Sequence, residues 1–291
     1  MALRKLGGFV ELLRPHNLLV SAFTTLIGVV SVSGRLDPYA AVPIAVVVLV
    51  AAGGYVINDY FDYEVDRLNK PYRPIPSGRV SREEALALAL ALFVGGVVLS
   101  LLPGPVSFAY AFLNAVLMFM YSYKIKEFGL LGNITVAFSG ASTIIYGGLA
   151  IAEHAAALGS VVRAAVPSLY AFMLLLGREI VKTIEDVEAD AARGVKSLPR
   201  ILGVSAAARV ASGILLGVVA LSLLPLLMGY GMVYAVLAGA TDALIIVSVK
   251  EVLLGRDMIE ASSKARSLLK LALLTGALAF LLDPLTPSAL L

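Results

Sequence analysis

Nine long apolar runs, at about residues 18–34, 39–58, 84–102, 106–123, 131–152, 165–184, 206–228, 231–250 and 267–283, leave this 291-residue chain few ways to fold. Most are close to the roughly 20 residues a helix needs to cross the ~30 Å hydrocarbon core of a bilayer. In lipid each backbone N–H and C=O must be paired within the chain, and helices achieve this segment by segment. With 59% hydrophobic and 15% charged residues, an ordinary soluble domain is excluded. The chain reads as an all-α polytopic membrane protein with nine transmembrane helices, forming one membrane-embedded domain over residues 1–291. Pro103-Gly104-Pro105 and Gly229-Tyr230-Gly231 are the clearest turns between runs. The stretch Leu3 to Leu13, broken by Arg4, Lys5, Gly7, Gly8 and Glu11, does not resemble a cleaved signal peptide and reads as an amphipathic helix on the membrane surface.

Charge sets the expected orientation. If the N-terminus is cytoplasmic, all but Arg35 and Arg163 of the 23 lysines and arginines fall on the cytoplasmic side. That agrees with the positive-inside rule and an odd number of crossings, with the C-terminus outside the cell membrane. Loops at about 59–83, 124–130 and 185–205 then form a cytoplasmic cap. The net charge of +3 does not indicate nucleic acid, because the basic residues lie in short loops rather than in a patch or stripe.

Acids interrupt this pattern at two places. Asn58-Asp59-Tyr60-Phe61-Asp62-Tyr63-Glu64-Val65-Asp66 follows the second run, and Asp186-Val187-Glu188-Ala189-Asp190 follows the sixth. Ionisable groups beside a membrane helix cost a few kcal/mol or more and mark functional sites by default. Residues four apart share a helix face, so Asn58, Asp62 and Asp66 form one stripe of oxygens, with Asp59 beside it, and Asp186 and Asp190 form another. The two clusters are related by a weak repeat: at an offset of 124 residues Gly53, Asp62, Asp66, Val80 and Ser81 fall on Gly177, Asp186, Asp190, Val204 and Ser205. Acids at a helix C-terminus oppose the macrodipole, which argues against simple capping.

With no cysteine and only two histidines, a metal must be held by oxygen. Carboxylates of this kind suit Mg2+, which keeps several waters and commonly binds substrate phosphate too. Arg67, Lys70, Arg73 and Arg79 follow the first cluster; Lys182 precedes the second, and Arg193, Lys196 and Arg200 follow it. These cations can grip phosphate or attract anionic membrane lipid. Tyr121 and Lys124 end the fourth run on the same side, where Lys124 can reach a diphosphate or snorkel from an aromatic belt. Asp242 falls near the middle of the eighth run, either lining a cavity or holding a hydrogen bond within the bundle. Glu153 and His154 read as interfacial.

These motifs resemble the UbiA superfamily of intramembrane prenyltransferases. The resemblance rests on Arg14-Pro15-His16-Asn17, on Asn58-Asp59-x-x-Asp62-x-x-x-Asp66 with Arg73-Pro74-Ile75-Pro76-Ser77-Gly78, on Tyr121-x-x-Lys124, and on Asp186-x-x-x-Asp190 with Gly194-x-Lys196-Ser197-Leu198-Pro199. It implies helices around a central cavity. It also implies Mg2+ held by Asn58, Asp62, Asp66, Asp186 and Asp190, with the four aspartates essential to catalysis. Arg67, Arg73, Tyr121, Lys124, Lys182 and Asn17 become the implied substrate-binding residues. Thr183 stands where the family's second motif usually has its first aspartate, so direct ligation there is not implied.

Within the family, Arg178-Glu179-Ile180-Val181-Lys182 leading into the second acidic cluster is most similar to the archaeal branch that makes ether lipids. That likeness implies transfer of a geranylgeranyl group from geranylgeranyl diphosphate to geranylgeranylglyceryl phosphate. Prenylation of 4-hydroxybenzoate or another aromatic quinone precursor uses the same metal site and stays open as the alternative. A cation-coupled transporter is a reading from another class, although transporters place their charges nearer mid-membrane.

Overall fold

The apolar runs become helices whose ends are fixed by the residues between them. The computed structural model describes residues 2–192 and 194–286. They form α1 (Ala2–Leu13), α2 (Pro15–Ser33), α3 (Ala41–Phe61), α4 (Tyr63–Asn69), α5 (Arg82–Leu99), α6 (Pro105–Tyr123) and α7 (Leu130–His154). There follow α8 (Val162–Glu185), α9 (Val187–Ala192), α10 (Leu198–Leu202), α11 (Val204–Leu221), α12 (Leu224–Leu227), α13 (Met232–Leu254) and α14 (Met258–Leu282). Prolines at the first helical position open α2 and α6, where the missing N–H is not needed. Ser81 and Glu84 start α5 with a reciprocal capping box, each bond 3.1 Å. Arg193, one of the cations expected after the second acidic cluster, lies outside the described residues.

Among the described residues nine helices have at least 18 residues, yet eight segments are long and apolar enough to cross a membrane. The expected ninth crossing, α5, falls short because its 18 residues open with Arg82, Glu83 and Glu84. The charges that build its cap remove it from the count. The fold is all-helical and polytopic, as expected.

Small residues let the helices approach closely, as membrane bundles require when lipid is as apolar as leucine. A Cβ on Gly28 of α2 would lie 1.8 Å from the Ile144 carbonyl oxygen of α7, and one on Gly147 would lie 2.1 Å from that of Thr25. The antiparallel pair α13 and α14 is joined by Thr241 Oγ1 and Thr275 Oγ1 at 2.7 Å. Leucines and valines such as Leu113 and Val236 remain exposed and form the outward apolar surface. On α1 Leu12 is buried while Leu3, Leu6 and Val10 are exposed, the division an interfacial helix needs.

Two acids fasten the end of the bundle away from the acidic clusters. Glu153 is more than interfacial: its carboxylate accepts from the N–H groups of Val106 and Ser107 at 2.8 and 2.7 Å. Asp283 does the same for α13, accepting from Gly231 N at 2.9 Å and Tyr234 N at 2.9 Å. Negative charge at a helix N-terminus complements its dipole. His154 stacks on Tyr39 with ring centroids 3.7 Å apart.

Candidate active site

The two acidic motifs are local copies of one another. Helix α3 stops at Phe61, Asp62 sits at the break, and α4 begins at once; α8 stops at Glu185, Asp186 sits at the break, and α9 follows. Asp62 and Asp186 have similar backbone angles, φ −79° and ψ 2° against φ −88° and ψ 9°. The N–H of Asp66 donates to the Asp62 carbonyl and that of Asp190 to the Asp186 carbonyl, both at 2.8 Å. A second helix therefore starts where the first ends. Glu64 and Asp66 lie in the first turn of α4, and Glu188 and Asp190 in that of α9, so these acids complement a dipole rather than oppose it. The repeat extends to Gly53 and Gly177, which face Phe93 and Leu215 respectively.

Buried acids must be compensated, and the first cluster gathers its cations from three distant segments. Arg73 donates to Asp66 Oδ2 at 2.5 Å and approaches Asp59 Oδ1 at 3.3 Å. Burial works against the Arg73 charge, but the hydrogen bond to Asp66 and the charges of Asp59, Asp66 and Asp62 outweigh it, leaving its pKa raised. Arg14 reaches Asp59 Oδ1 at 2.5 Å from a left-handed conformation between α1 and α2, with φ 52°. Such angles are uncommon for a residue with a Cβ and are held only by surrounding structure. Lys126 meets Asp62 Oδ1 at 2.5 Å and Asn58 Oδ1 at 3.5 Å, while Asn58 Nδ2 donates to Asp62 Oδ2 at 2.8 Å.

At the second cluster, Lys182 Nζ is 4.0 Å from Asp186, and Arg200 donates to the Asp190 carbonyl at 3.3 Å. Thr183 turns its hydroxyl back to the Ile180 carbonyl at 2.8 Å, so it is engaged with its own helix.

A cavity of about 1080 Å³ runs through the bundle beside these clusters. Asn17, Asn58, Tyr121 and Lys182 line its polar end, together with Arg14, Arg178 and Glu179. Asp62, Asp66, Asp186 and Asp190 are not in its lining; Asn58 and Lys182 connect Asp62 and Asp186 to it. Arg67 and Lys124 stand apart from both clusters. Arg67 is exposed and 3.7 Å from Glu64, and Lys124 is exposed and 2.6 Å from Glu127. The short turn Ile125–Glu127 aims Lys126 at Asp62 instead. Sequence reasoning left Lys126 as a generic inner-side charge and Arg14 as part of a signature; the alternation of Lys124 and Lys126 around a tight turn was the available signal. Asp242 does both things expected of it: it lines the cavity and accepts from Ser222 Oγ at 2.7 Å.

The donors fit Mg2+ in kind. Asn58 and Asp62 oxygens converge on one cation, the Lys126 ammonium, and Asp59 and Asp66 on another, the Arg73 guanidinium. Among the described residues no three His, Cys, Asp or Glu side chains come together to hold a metal by themselves. An ion here would complete its shell with water and phosphate oxygen, as Mg2+ commonly does.

Paired acidic helix breaks beside an apolar intramembrane cavity mark out a class, and the UbiA prenyltransferase family model matches residues 20–282: the chain belongs to that family. A digeranylgeranylglyceryl phosphate synthase from Hyperthermus butylicus is 48% identical, the match covering 96% of this chain and 97% of that protein. The solved structure of a digeranylgeranylglyceryl phosphate synthase in membranes aligns with a TM-score of 0.83 at 32% identity, covering 96% of this chain and 98% of its own. A UbiA homolog from Archaeoglobus fulgidus, solved bound to DMAPP and Mg2+, has the same fold, with a TM-score of 0.69 at 19% identity over 94% of this chain and 98% of its own.

Proposed function

We propose that this chain carries out the digeranylgeranylglyceryl phosphate synthase reaction, a geranylgeranyl transfer in archaeal ether-lipid synthesis. The observation that carries this reading is the 48% identity to such an enzyme along nearly the whole of both chains. It favours the lipid acceptor over 4-hydroxybenzoate, which the acidic motifs alone leave equal.

In the reaction the allylic C–O bond to diphosphate breaks and diphosphate leaves with the electron pair. The glycerol oxygen bonds to the allylic carbon and the hydroxyl proton is lost. Mg2+, held through Asn58, Asp62, Asp66, Asp186 and Asp190, would supply electrostatic stabilisation of the leaving diphosphate. Arg73 and Lys126, already on the first acidic cluster, and Lys182 on the second hold positive charge beside that leaving group. Asn17 and Tyr121 line the polar mouth and orient the headgroups. Below them Phe23, Met118, Leu174 and Phe280 give the prenyl chain an apolar, water-poor bed. In this reading α5 completes nine crossings, and the lopsided lysine and arginine distribution supports a mouth on the cytoplasmic side.

The test is to incubate purified protein and Mg2+ with geranylgeranyl diphosphate, offering geranylgeranylglyceryl phosphate and 4-hydroxybenzoate in parallel and identifying products by mass. The expected product is the doubly geranylgeranylated glyceryl phosphate, lost in excess chelator and in folded Asp62→Ala and Asp190→Ala variants. Prenylated hydroxybenzoate alone, or turnover undiminished by chelator, would overturn the acceptor or the metal assignment respectively.

A further inference from the structure

Lys270 belongs to the membrane-spanning part of α14, lines the cavity, and makes no hydrogen bond or ion pair among the described residues. The residue is exposed, and an unpaired ammonium in the wall of a largely apolar cavity is placed to take a ligand of opposite sign.

Its level is fixed by two contacts between the antiparallel helices α8 and α14. Arg266 Nε lies 2.9 Å from Glu185 Oε2, and the rings of Phe280 and Tyr170 are 5.4 Å apart. One turn along α14 from Arg266, Lys270 is level with the segment between Arg178 and Lys182, which also line the cavity. Arg178 has one guanidinium nitrogen on Glu179 at 2.6 Å, while its buried Nε makes no hydrogen bond among the described residues. Arg178, Lys182 and Lys270 thus line one side of the cavity, roughly 6–12 Å of helix rise deeper than Asp186. The first acidic cluster lies on α3 and α4, with its own cations Arg14, Arg73 and Lys126. Asp242, the acid on the neighbouring α13, is held by Ser222.

We propose that Lys270, with Arg178 of the facing helix lining the same cavity, is the subsite for the phosphate monoester of the acceptor lipid. This rests on the reaction proposed above. The donor diphosphate has the acidic clusters and their cations for its recognition; a second anion brought in by a lipid needs a second basic locus within the cavity. In geranylgeranylglyceryl phosphate the attacking hydroxyl is only a few bonds from the phosphate. Gripping the phosphate at this wall therefore sets where the hydroxyl sits relative to the allylic carbon.

The experiment compares wild type with Lys270→Met and Lys270→Arg on two acceptors, geranylgeranylglyceryl phosphate and geranylgeranylglycerol, which lacks the phosphate. In Lys270→Met the KM for the phosphorylated acceptor rises about tenfold, the size of one lost charge-assisted hydrogen bond. The KM for geranylgeranyl diphosphate stays at the wild-type value. Turnover of geranylgeranylglycerol is the same in Lys270→Met and wild type, and Lys270→Arg restores acceptor KM. Lys270→Gln gives the same comparison where Lys270→Met is not recovered folded. An unchanged acceptor KM, a rise in donor KM instead, or equal loss with both acceptors overturns the subsite while leaving the reaction standing. Failure of the wild type to convert the phosphorylated acceptor overturns the reaction itself.

Discussion

Replacing Arg73 by Met should destabilise the protein by about 2–3 kcal/mol, and the structure says which atom is responsible. Arg73 is shared by two acids, Asp59 at 6% exposure and Asp66 at 5%. Asp59 keeps Arg14 at 2.5 Å when Arg73 is lost. Asp66 has no other side-chain partner among the described residues, so the uncompensated charge is its own. Removing one partner of a fully buried pair costs about 3–5 kcal/mol. The Arg73 side chain is 23% exposed, so water can enter the space it leaves, which puts the cost at or below the low end of that range. The assay is chemical or thermal unfolding of detergent-purified wild type, Arg73→Met, Asp66→Asn and the double variant. Because Asp66→Asn removes the stranded charge, the double variant should be more stable than Arg73→Met alone. A strictly additive cycle, or an Arg73→Met variant within about 0.5 kcal/mol of wild type, would refute the assignment.

On the α6–α7 connection, Lys126→Met should cut turnover at least about tenfold, whereas Lys124→Met, which removes only an exposed pair with Glu127, should change it less than about twofold; steady-state kinetics on both variants decides. Gly28→Val should fail to accumulate as folded protein, because its first carbon alone would overlap the Ile144 carbonyl oxygen; size-exclusion recovery beside wild type checks this. Glu153→Ala should lower stability by about 1–2 kcal/mol through the loss of two N-terminal hydrogen bonds of α6, with activity per folded molecule unchanged. Unfolding midpoints and specific activity together test it.

Run length and turn residues made the long helices legible, because spanning lipid leaves one local solution. The acidic stripes were legible for a related reason: spacing of four is a property of one helix. Sequence did not reveal that a new helix begins at Asp62 and Asp186, which reverses the sense of the dipole argument. Nor could it decide between Lys124 and Lys126, since a two-residue difference in a tight turn changes which side chain crosses 64 residues of sequence to reach Asp62. Glu153 and Asp283 were unreadable as caps, their N–H partners lying 46–47 and 49–52 residues away. The count of nine crossings met its difficulty at α5, where one short sequence must serve both as a charged cap and as an apolar span.

Arg14 ties two things that are usually handled separately. It follows the last residue of α1, and it meets Asp59 from a backbone held in a left-handed turn. How α1 rests on its surroundings is thereby wired to the charge balance of the first acidic cluster. A detergent that lets α1 lift away would leave the helical content of the bundle intact while depriving Asp59 of the nearer of its two counter-ions, so circular dichroism would report a healthy preparation of an impaired protein.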